Sequence, residues 1–170
     1  TLSASSIGTT TAGTMTFDGV DDTLNIVLAS LVSSDFTVIG VSGKVAGSNG
    51  RLISARSNNF LLGHHGTGSR KYYSEGWVAS SYSDSSNDVH IYCGTGDISG
   101  DVYSFREDNV NYTQTASGGS QGPNGFALGS FQNGSEYGTG TITVLLVYNR
   151  VLTDAEIDQN FNAQKNRFGV

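Results

Sequence analysis

The sequence predicts an all-β fold, an antiparallel sandwich or barrel, that ends in one short helix. Apolar and polar residues alternate in short runs, and turn residues separate these runs at intervals of about 8 to 12 residues, as in antiparallel β proteins. The composition agrees, because 23 glycines and one proline among 170 residues suit many tight turns between half-buried strands. A chain of this length forms one domain with a sizeable core.

The alternating runs define the predicted strands. In chain order these are residues 14–17, 22–28, 35–45, 51–56, 59–65, 71–81, 88–94, 101–107, 110–114, 126–131 and 141–149. The last run contains the consecutive apolar residues 144–147, which indicate a central strand covered on both faces. Residues 1–13 are expected to form an N-terminal linker or arm, and residues 14–170 the folded domain.

One helix is predicted after residue 153. Thr153 and Glu156 have the spacing of a capping box, in which each side chain accepts a hydrogen bond from the other residue's backbone N–H. Leu152 and Ile157 are spaced for a hydrophobic staple, and Gly169 supplies a stop signal. The helix is expected to cover one end of the sandwich.

The charge balance argues against several classes of partner. The formal net charge is −6 and the longest basic cluster is Arg70-Lys71, whereas a surface that binds nucleic acid needs clustered lysine and arginine. No apolar run approaches the roughly 18 to 20 residues that span a bilayer, so membrane insertion is not expected. The single cysteine, Cys93, cannot form an internal disulfide and is expected to be a small buried side chain.

Two terminal stretches resemble a known family. "MTFDGVDDTLNI" at 15–26 and "GTITVLLVYNRVLTDAEIDQNF" at 140–161 resemble the two ends of laminin-G-like domains in the concanavalin A-like lectin/glucanase superfamily. The resemblance implies a jelly-roll β-sandwich that opens on an F-D-G-x-D-D hairpin and closes through a late strand into a short helix. It bears on fold more than on activity, because one sandwich architecture hosts many functions.

The closing "QNFNAQKNRFGV" at 159–170 is similar to the C-terminal tail of laminin-G-like modules in structural proteins of tailed bacteriophages. This likeness implies a module on the virion surface, either a capsid decoration or a tail or fibre component. Its expected partners are other virion proteins and host cell-surface glycans, and a homo-oligomer is an open alternative to a monomer. The rival hypothesis is a secreted carbohydrate-binding module of a bacterial polysaccharide-degrading enzyme.

Catalysis is not expected. Glucanases of this superfamily carry carboxylates that alternate along one strand, and two of them lie about 5 to 5.5 Å apart in a retaining enzyme. Three of the chain's glutamates, Glu75, Glu107 and Glu136, have no acidic residue two positions away, and the capping box explains Glu156. The sequence also lacks the H-E-x-x-H motif.

Calcium is the one cofactor that the sequence leaves open. Laminin-G-like and lectin relatives often hold a calcium ion in a loop at the rim of the sandwich, and Asp18, Asp21 and Asp22 offer hard oxygen ligands there. Asp-Gly is also the preferred pair for a tight hairpin turn, and aspartate bonds its own backbone in turns. Turn formation is the favoured interpretation of these aspartates, with calcium binding as the alternative.

Segment 64–82 combines aromatic rings with polar side chains, which is the pairing that a sugar ligand needs. The candidate glycan-binding residues are His64, His65, Tyr72 and Tyr82. Because side chains alternate along a strand, about half of those in the segment should point inward, and Tyr73 and Trp77 are expected to face the core. The adjacent histidines point to opposite faces of a strand, which argues against a shared zinc ion.

Overall fold

The computed structural model shows a sandwich of two antiparallel sheets with one C-terminal helix, as the sequence predicts. The structure describes residues 2–6, 10–11, 13–28, 34–45, 47–80, 88–111, 114–115, 122–132 and 134–169. Of residues 2–6, 10–11, 111 and 114–115 only the backbone is described.

The first sheet has seven strands. In spatial order they are β1 (Leu2–Ser6), β4 (Thr23–Ile26), β14 (Phe126–Leu128), β6 (Ile53–Ala55), β7 (Phe60–His65), β8 (Gly68–Ser74) and β9 (Trp77–Ala79). Consecutive strands β6 to β9 form a meander, whereas β14 enters between β4 and β6 from much later in the chain. Residues 53–79 therefore form the four strands at one edge of this sheet.

The second sheet has eight strands. In spatial order they are β12 (Val110–Asn111), β11 (Val102–Glu107), β10 (Val89–Asp97), β5 (Phe36–Lys44), β15 (Thr139–Tyr148), β3 (Thr14–Asp18) and β2 (Thr10–Thr11), while β13 (Gln114–Thr115) also pairs with β11. Within the segment expected to be a linker or arm, β1 pairs with β4 and β2 pairs with β3.

The main core lies between the two sheets. The ring of Phe60 lies edge-on to three other aromatic rings, with centroid distances of 5.8 to 6.0 Å, and these belong to Phe36, Tyr72 and Phe126. Such edge-to-face pairs stabilise a core beyond the apolar area that they bury. Strands of both sheets contribute to this core, which lies on their inward faces.

A second apolar cluster lies on the outer face of the eight-stranded sheet, beneath helix α1 (Asp154–Phe168). Ile39 and Cys93 point outward from neighbouring central strands and pack with Ile157 and Phe161 of the helix. The helix therefore covers the outer face of this sheet and not, as was expected, the end of the sandwich. It does so because alternate residues of the central strands form an apolar stripe on that face. Burial raises the pKa of the Cys93 thiol to about 12, as for an inert structural cysteine.

The signals that define this helix are confirmed. The Thr153 side chain accepts from the Glu156 backbone N–H, and Glu156 Oε2 accepts from the Thr153 N–H at 2.9 Å. Leu152 and Ile157 are both buried in the cluster under the helix. Gly169 ends the helix in the left-handed conformation, with φ of 73°. No described helix is long and apolar enough to cross a membrane.

Candidate functional site

A tight hairpin stands where the sequence predicts one strand over residues 71–81. Strand β8 ends at Ser74, whose N–H donates to the Gly76 carbonyl at 2.9 Å, and Glu75 takes the left-handed turn conformation with φ of 54°. Strand β9 then runs back along β8, so that Tyr73 lies opposite Trp77. The turn brings two aromatic rings of one short segment to the same place on the sheet.

The predicted directions of Tyr72, Tyr73 and Trp77 are wrong. Tyr72, predicted to bind ligand, is fully buried in the main core, and its hydroxyl donates to the Thr95 carbonyl at 3.1 Å. Tyr73 and Trp77, predicted to face the core, point outward, and 39% of Trp77 is exposed. Alternation groups residues by face but does not say which face is inward, and here both faces carry aromatic rings.

His64, which was also predicted to bind ligand, does not lie on the outer surface. Its side chain is buried, and its ring lies edge-on to Tyr92 with 5.2 Å between ring centroids. The next residue, His65, points to the opposite face and is partly exposed. Of the four predicted ligand residues, His65 is the one that the structure places on the outer surface, while Tyr82 lies outside the described residues.

Four outward side chains form one aromatic and cationic surface on the seven-stranded sheet. The Trp77 ring lies 5.6 Å from the His65 ring and 5.1 Å from the Tyr73 ring, both edge-on. The Lys71 ammonium lies 5.7 Å from the centroid of the Trp77 ring. We call His65, Lys71, Tyr73 and Trp77 the Trp77 surface. An indole flanked by an imidazole, a phenol and an ammonium combines an apolar plane with hydrogen-bonding groups.

A carboxylate adjoins this surface. Glu136 Oε2 accepts from Arg51 Nε at 2.6 Å and lies 3.5 Å from His65 Nε2. Arg51 also donates from Nη1 to Asn59 Oδ1 at 2.8 Å, and its guanidinium lies 4.0 Å above the Phe131 ring. The sequence gives no local signal for this group, since its members are up to 85 positions apart.

Close backbone packing brings Glu136 to Arg51. The Arg51 N–H donates to the Glu136 carbonyl at 2.9 Å. Gly50 has φ of 96°, and a Cβ there would lie 2.1 Å from the Tyr137 carbonyl oxygen. Only glycine lets the two segments approach this closely.

The ionisable groups around Trp77 influence one another. Burial, followed by the Arg51 charge, lowers the pKa of His65, and Glu136 only partly opposes this effect. The Lys71 and Lys44 charges lower the pKa of His65 further. His65 is therefore a neutral hydrogen-bonding group at pH 7.

The predicted calcium residues meet at one hairpin. Asp18, Asp21 and Asp22 offer oxygen atoms that lie within 4.8 Å of one another. Asp18 Oδ1 accepts from the Val20 N–H at 2.8 Å, and Asp22 Oδ2 accepts from the Asp18 N–H at 3.0 Å. Two of the three carboxylates thus bond the turn backbone, which fits turn formation, and calcium binding stays a prediction.

A second ionisable cluster was not predicted from the sequence. His90 Nδ1 lies 2.6 Å from Asp108 Oδ2, and Arg70 holds the buried Glu107 through two bonds of 2.7 and 2.8 Å. The β10–β11 hairpin pairs Tyr92 with Glu107 and so brings the residues near 90 and 108 together. The position of the turn in the sequence would have predicted this pairing.

This cluster has the character of a structural ion-pair network. Burial acts to raise the pKa of the Asp108 carboxyl, but hydrogen bonds from His90 and from the Ile91 N–H lower it overall. A general acid needs a raised pKa, so Asp108 is poorly suited to that task.

The comparisons with known proteins concern the fold. No protein family model and no curated protein matches the sequence. Among solved structures, a Trypanosoma rangeli sialidase in complex with sialic acid matches with a TM-score of 0.65 and 18% identity, over 94% of this chain and 29% of that chain. The receptor binding domain of botulinum neurotoxin C/D mosaic serotype matches with a TM-score of 0.74 and 10% identity, over 96% of this chain and 46% of that chain.

The chain thus spans less than a third of the sialidase and less than half of the toxin domain that it matches. At these identities the likeness is one of fold alone. The chain has a two-sheet β-sandwich like those in these proteins, consistent with the concanavalin A-like architecture expected from its sequence.

Proposed function

We propose that this chain is a non-catalytic glycan-binding module whose binding site is the Trp77 surface. The exposed indole of Trp77 carries the proposal. Most of the aromatic side chains that the structure describes are buried, yet the only tryptophan of the sequence lies on the outer face of a sheet with 39% of its area exposed.

The chemistry of the surface fits a sugar. A saccharide ring presents C–H groups on its faces and hydroxyls around its edge, so that it packs on an aromatic ring while bonding to polar neighbours. Trp77 offers the plane, and His65, Lys71 and Tyr73 offer donors and acceptors around it. The three strands beneath hold these side chains in place, which reduces the entropy cost of binding.

The structural neighbours support this kind of ligand. One is a sialidase in complex with sialic acid, and another is a receptor binding domain of a neurotoxin. Both descriptions concern recognition of a molecule by the whole protein. For this chain we propose only that its β-sandwich binds glycans.

The absence of catalysis is part of the proposal. The glutamates of the chain hold structural positions: Glu107 pairs with Arg70, Glu136 pairs with Arg51, and Glu156 caps the helix. Glu75 accepts from the Asn59 N–H at 3.2 Å beside the hairpin turn. None of these arrangements resembles an acid and a nucleophile facing one open cleft.

A virion is the proposed setting. The similarity of residues 159–170 to phage modules supports a capsid decoration or a tail or fibre component at the virion surface. Other virion proteins and host cell-surface glycans would be its partners. Many copies on one particle, or a homo-oligomer, would convert weak single contacts into stable attachment. Mass spectrometry of purified phage particles tests the virion role, and absence of this chain from them would contradict it.

The second candidate is a secreted carbohydrate-binding module joined to a polysaccharide-degrading enzyme. The match to 29% of a sialidase favours it, because a fold of this kind there forms part of a longer enzyme chain. A catalytic domain in the same gene product would decide for this candidate.

The binding site is tested with a glycan array and by calorimetry on the best ligand. We expect Trp77→Ala to weaken binding by at least about tenfold, as for the loss of an aromatic anchor. Val110→Ala, which removes an exposed apolar side chain from the other sheet, is the matched control and should leave binding unchanged. Equal affinity of the Trp77→Ala variant and the parent protein would rule out this site.

A further inference from the structure

The Trp77 surface carries an excess of positive charge. Arg51, Lys44 and Lys71 all lie close enough to His65 to lower its pKa, and Glu136 is the carboxylate that opposes them. Glu75 lies in the turn between Tyr73 and Trp77 and adds a second carboxylate, so three cations against two carboxylates leave a local charge of about +1 when His65 is neutral. The whole chain, in contrast, has a formal net charge of −6.

Lys44 supplies part of this charge from beneath the surface. Its side chain is buried, and its ammonium donates to the Gly66 carbonyl in the turn between β7 and β8. Burial and the charge of Lys71 lower the pKa of Lys44. Lys44 therefore adds to the positive potential around Lys71.

Lys71 is the cation that a ligand can reach. It lies on the outer face of β8 beside the partly exposed Trp77 ring. Within the described residues, no carboxylate lies within 4.0 Å of its ammonium, whereas Arg51, Arg70, Arg106 and Arg150 all have such partners. Its positive charge therefore remains available to an external group.

We infer that the glycan bound by the Trp77 surface is acidic, with its carboxylate or sulfate beside Lys71 and His65 and its ring on Trp77. This inference rests on the proposed function and names the class of ligand. An anion in this position would pair with the Lys71 ammonium, which lies 5.7 Å from the Trp77 ring centroid. It also receives charge-assisted hydrogen bonds, which are stronger than those to a neutral hydroxyl.

The charge distribution further limits the ligand. Outside this surface the chain is acidic, so a long and uniformly charged polyanion is repelled along most of its length. A neutral saccharide with single acidic residues matches a small positive surface on an acidic protein. The geometry therefore favours isolated acidic sugars over a continuous polysulfate or a nucleic acid.

The experiment compares three probes that differ in one substituent. Lactose, 3′-sialyllactose and 3′-sulfated lactose are titrated into the intact chain and followed by NMR and calorimetry. We expect both acidic probes to bind about three- to tenfold more tightly than lactose, and this preference to shrink as salt rises. The stronger of the two acidic probes identifies carboxylate or sulfate as the preferred group.

Charge variants test the residues. Lys71→Gln should remove most of the preference for the acidic probes, so that the ratio of their affinities to the lactose affinity falls toward one. Glu136→Gln should strengthen binding of the acidic probes by roughly two- to fivefold, because it removes the opposing carboxylate. Lys165→Gln, on helix α1 at the other sheet, is the matched control and should change neither affinity.

Each result has one meaning. Equal affinity for lactose and the acidic probes, or an undiminished acidic preference in Lys71→Gln, overturns the inference and leaves the proposed function standing. Loss of lactose binding in Trp77→Ala together with an acidic preference in the parent supports both. Absence of binding to all three probes and across a glycan array overturns the proposed function, and the inference with it.

Discussion

The Trp77 ring meets the Tyr73 ring edge-on, with 5.1 Å between ring centroids and 86° between ring planes. The two residues are direct neighbours across the β8–β9 hairpin. This contact holds the indole against the sheet, and the Tyr73 side chain thereby supports the plane on which a ligand ring would pack. An edge-to-face aromatic pair of this kind contributes about 0.5 to 1.5 kcal/mol.

Tyr73→Ala should weaken glycan binding while the protein remains folded. The variant removes the support of Trp77, so we expect a roughly three- to tenfold loss of affinity and a change in unfolding free energy of about 1 kcal/mol. Tyr73→Phe keeps the ring and should retain most of the affinity. Calorimetric titration and urea unfolding measure the two effects, and an unchanged affinity in Tyr73→Ala would contradict this role.

Tyr72→Ala should destabilise the fold, whereas glycan binding does not depend directly on this side chain. Its side chain is fully buried among core aromatics, so its removal should lower the free energy of unfolding by about 3 to 5 kcal/mol. Tyr72→Phe removes the hydroxyl that donates to the Thr95 carbonyl and should cost about 1 kcal/mol. Glycan affinity of the folded Tyr72→Phe protein should match that of the parent. A specific loss of affinity there would return Tyr72 to the binding site.

Much of the fold is readable from local signals. The alternating runs predicted most strands, and the capping box at Thr153 and Glu156 predicted where α1 begins. Two kinds of information were missing. The hairpin turn at Glu75 lies inside an alternating run without Asn-Gly or Asp-Gly. The inward face of β8 depends on packing against the other sheet, which no local pattern encodes.

The site was only partly predictable for the same reason. His65 was identified because it lies in an aromatic and polar segment, and Trp77 was seen but assigned to the core. Arg51, Glu136 and Lys44 come from distant positions and join the site through long-range pairing. The register of a sheet places such residues together, and it becomes visible only when the strands have been ordered.

The pKa of His65 makes stability depend on pH. Unfolded His65 titrates near pH 6.5, and burial with the Arg51 charge lowers the pKa in the folded state. Between these two values the unfolded chain binds more protons, so stability is complete above about pH 6.5 and falls as the pH drops through the folded pKa.

Urea unfolding of the parent and of His65→Gln, at several pH values between about 5 and 7.5, isolates this contribution. The stability of the parent relative to the variant should decrease toward low pH. An increase in that difference would mean that a charged His65 paired with Glu136 dominates instead.

Calcium binding at Asp18, Asp21 and Asp22 can be tested directly. Because two of these carboxylates bond the turn backbone, we expect about 10 mM calcium, well above the dissociation constants of weak extracellular sites, to leave the melting temperature unchanged. Asp18→Ala should lower the melting temperature with or without calcium, because it removes the bond from the Val20 N–H. A calcium-dependent rise that disappears in Asp21→Asn would establish a metal site.

The Arg70–Glu107 pair should show strong coupling. Glu107 is 3% exposed, and both of its oxygens accept from the Arg70 guanidinium. Arg70→Met leaves a buried carboxylate without this partner and should cost roughly 3 kcal/mol of unfolding free energy. Glu107→Gln removes that charge, so the double variant should be about 1 to 3 kcal/mol more stable than the sum of the single effects predicts. Denaturant unfolding of the four proteins measures the coupling, and simple additivity would show that the pair does not contribute as an ion pair.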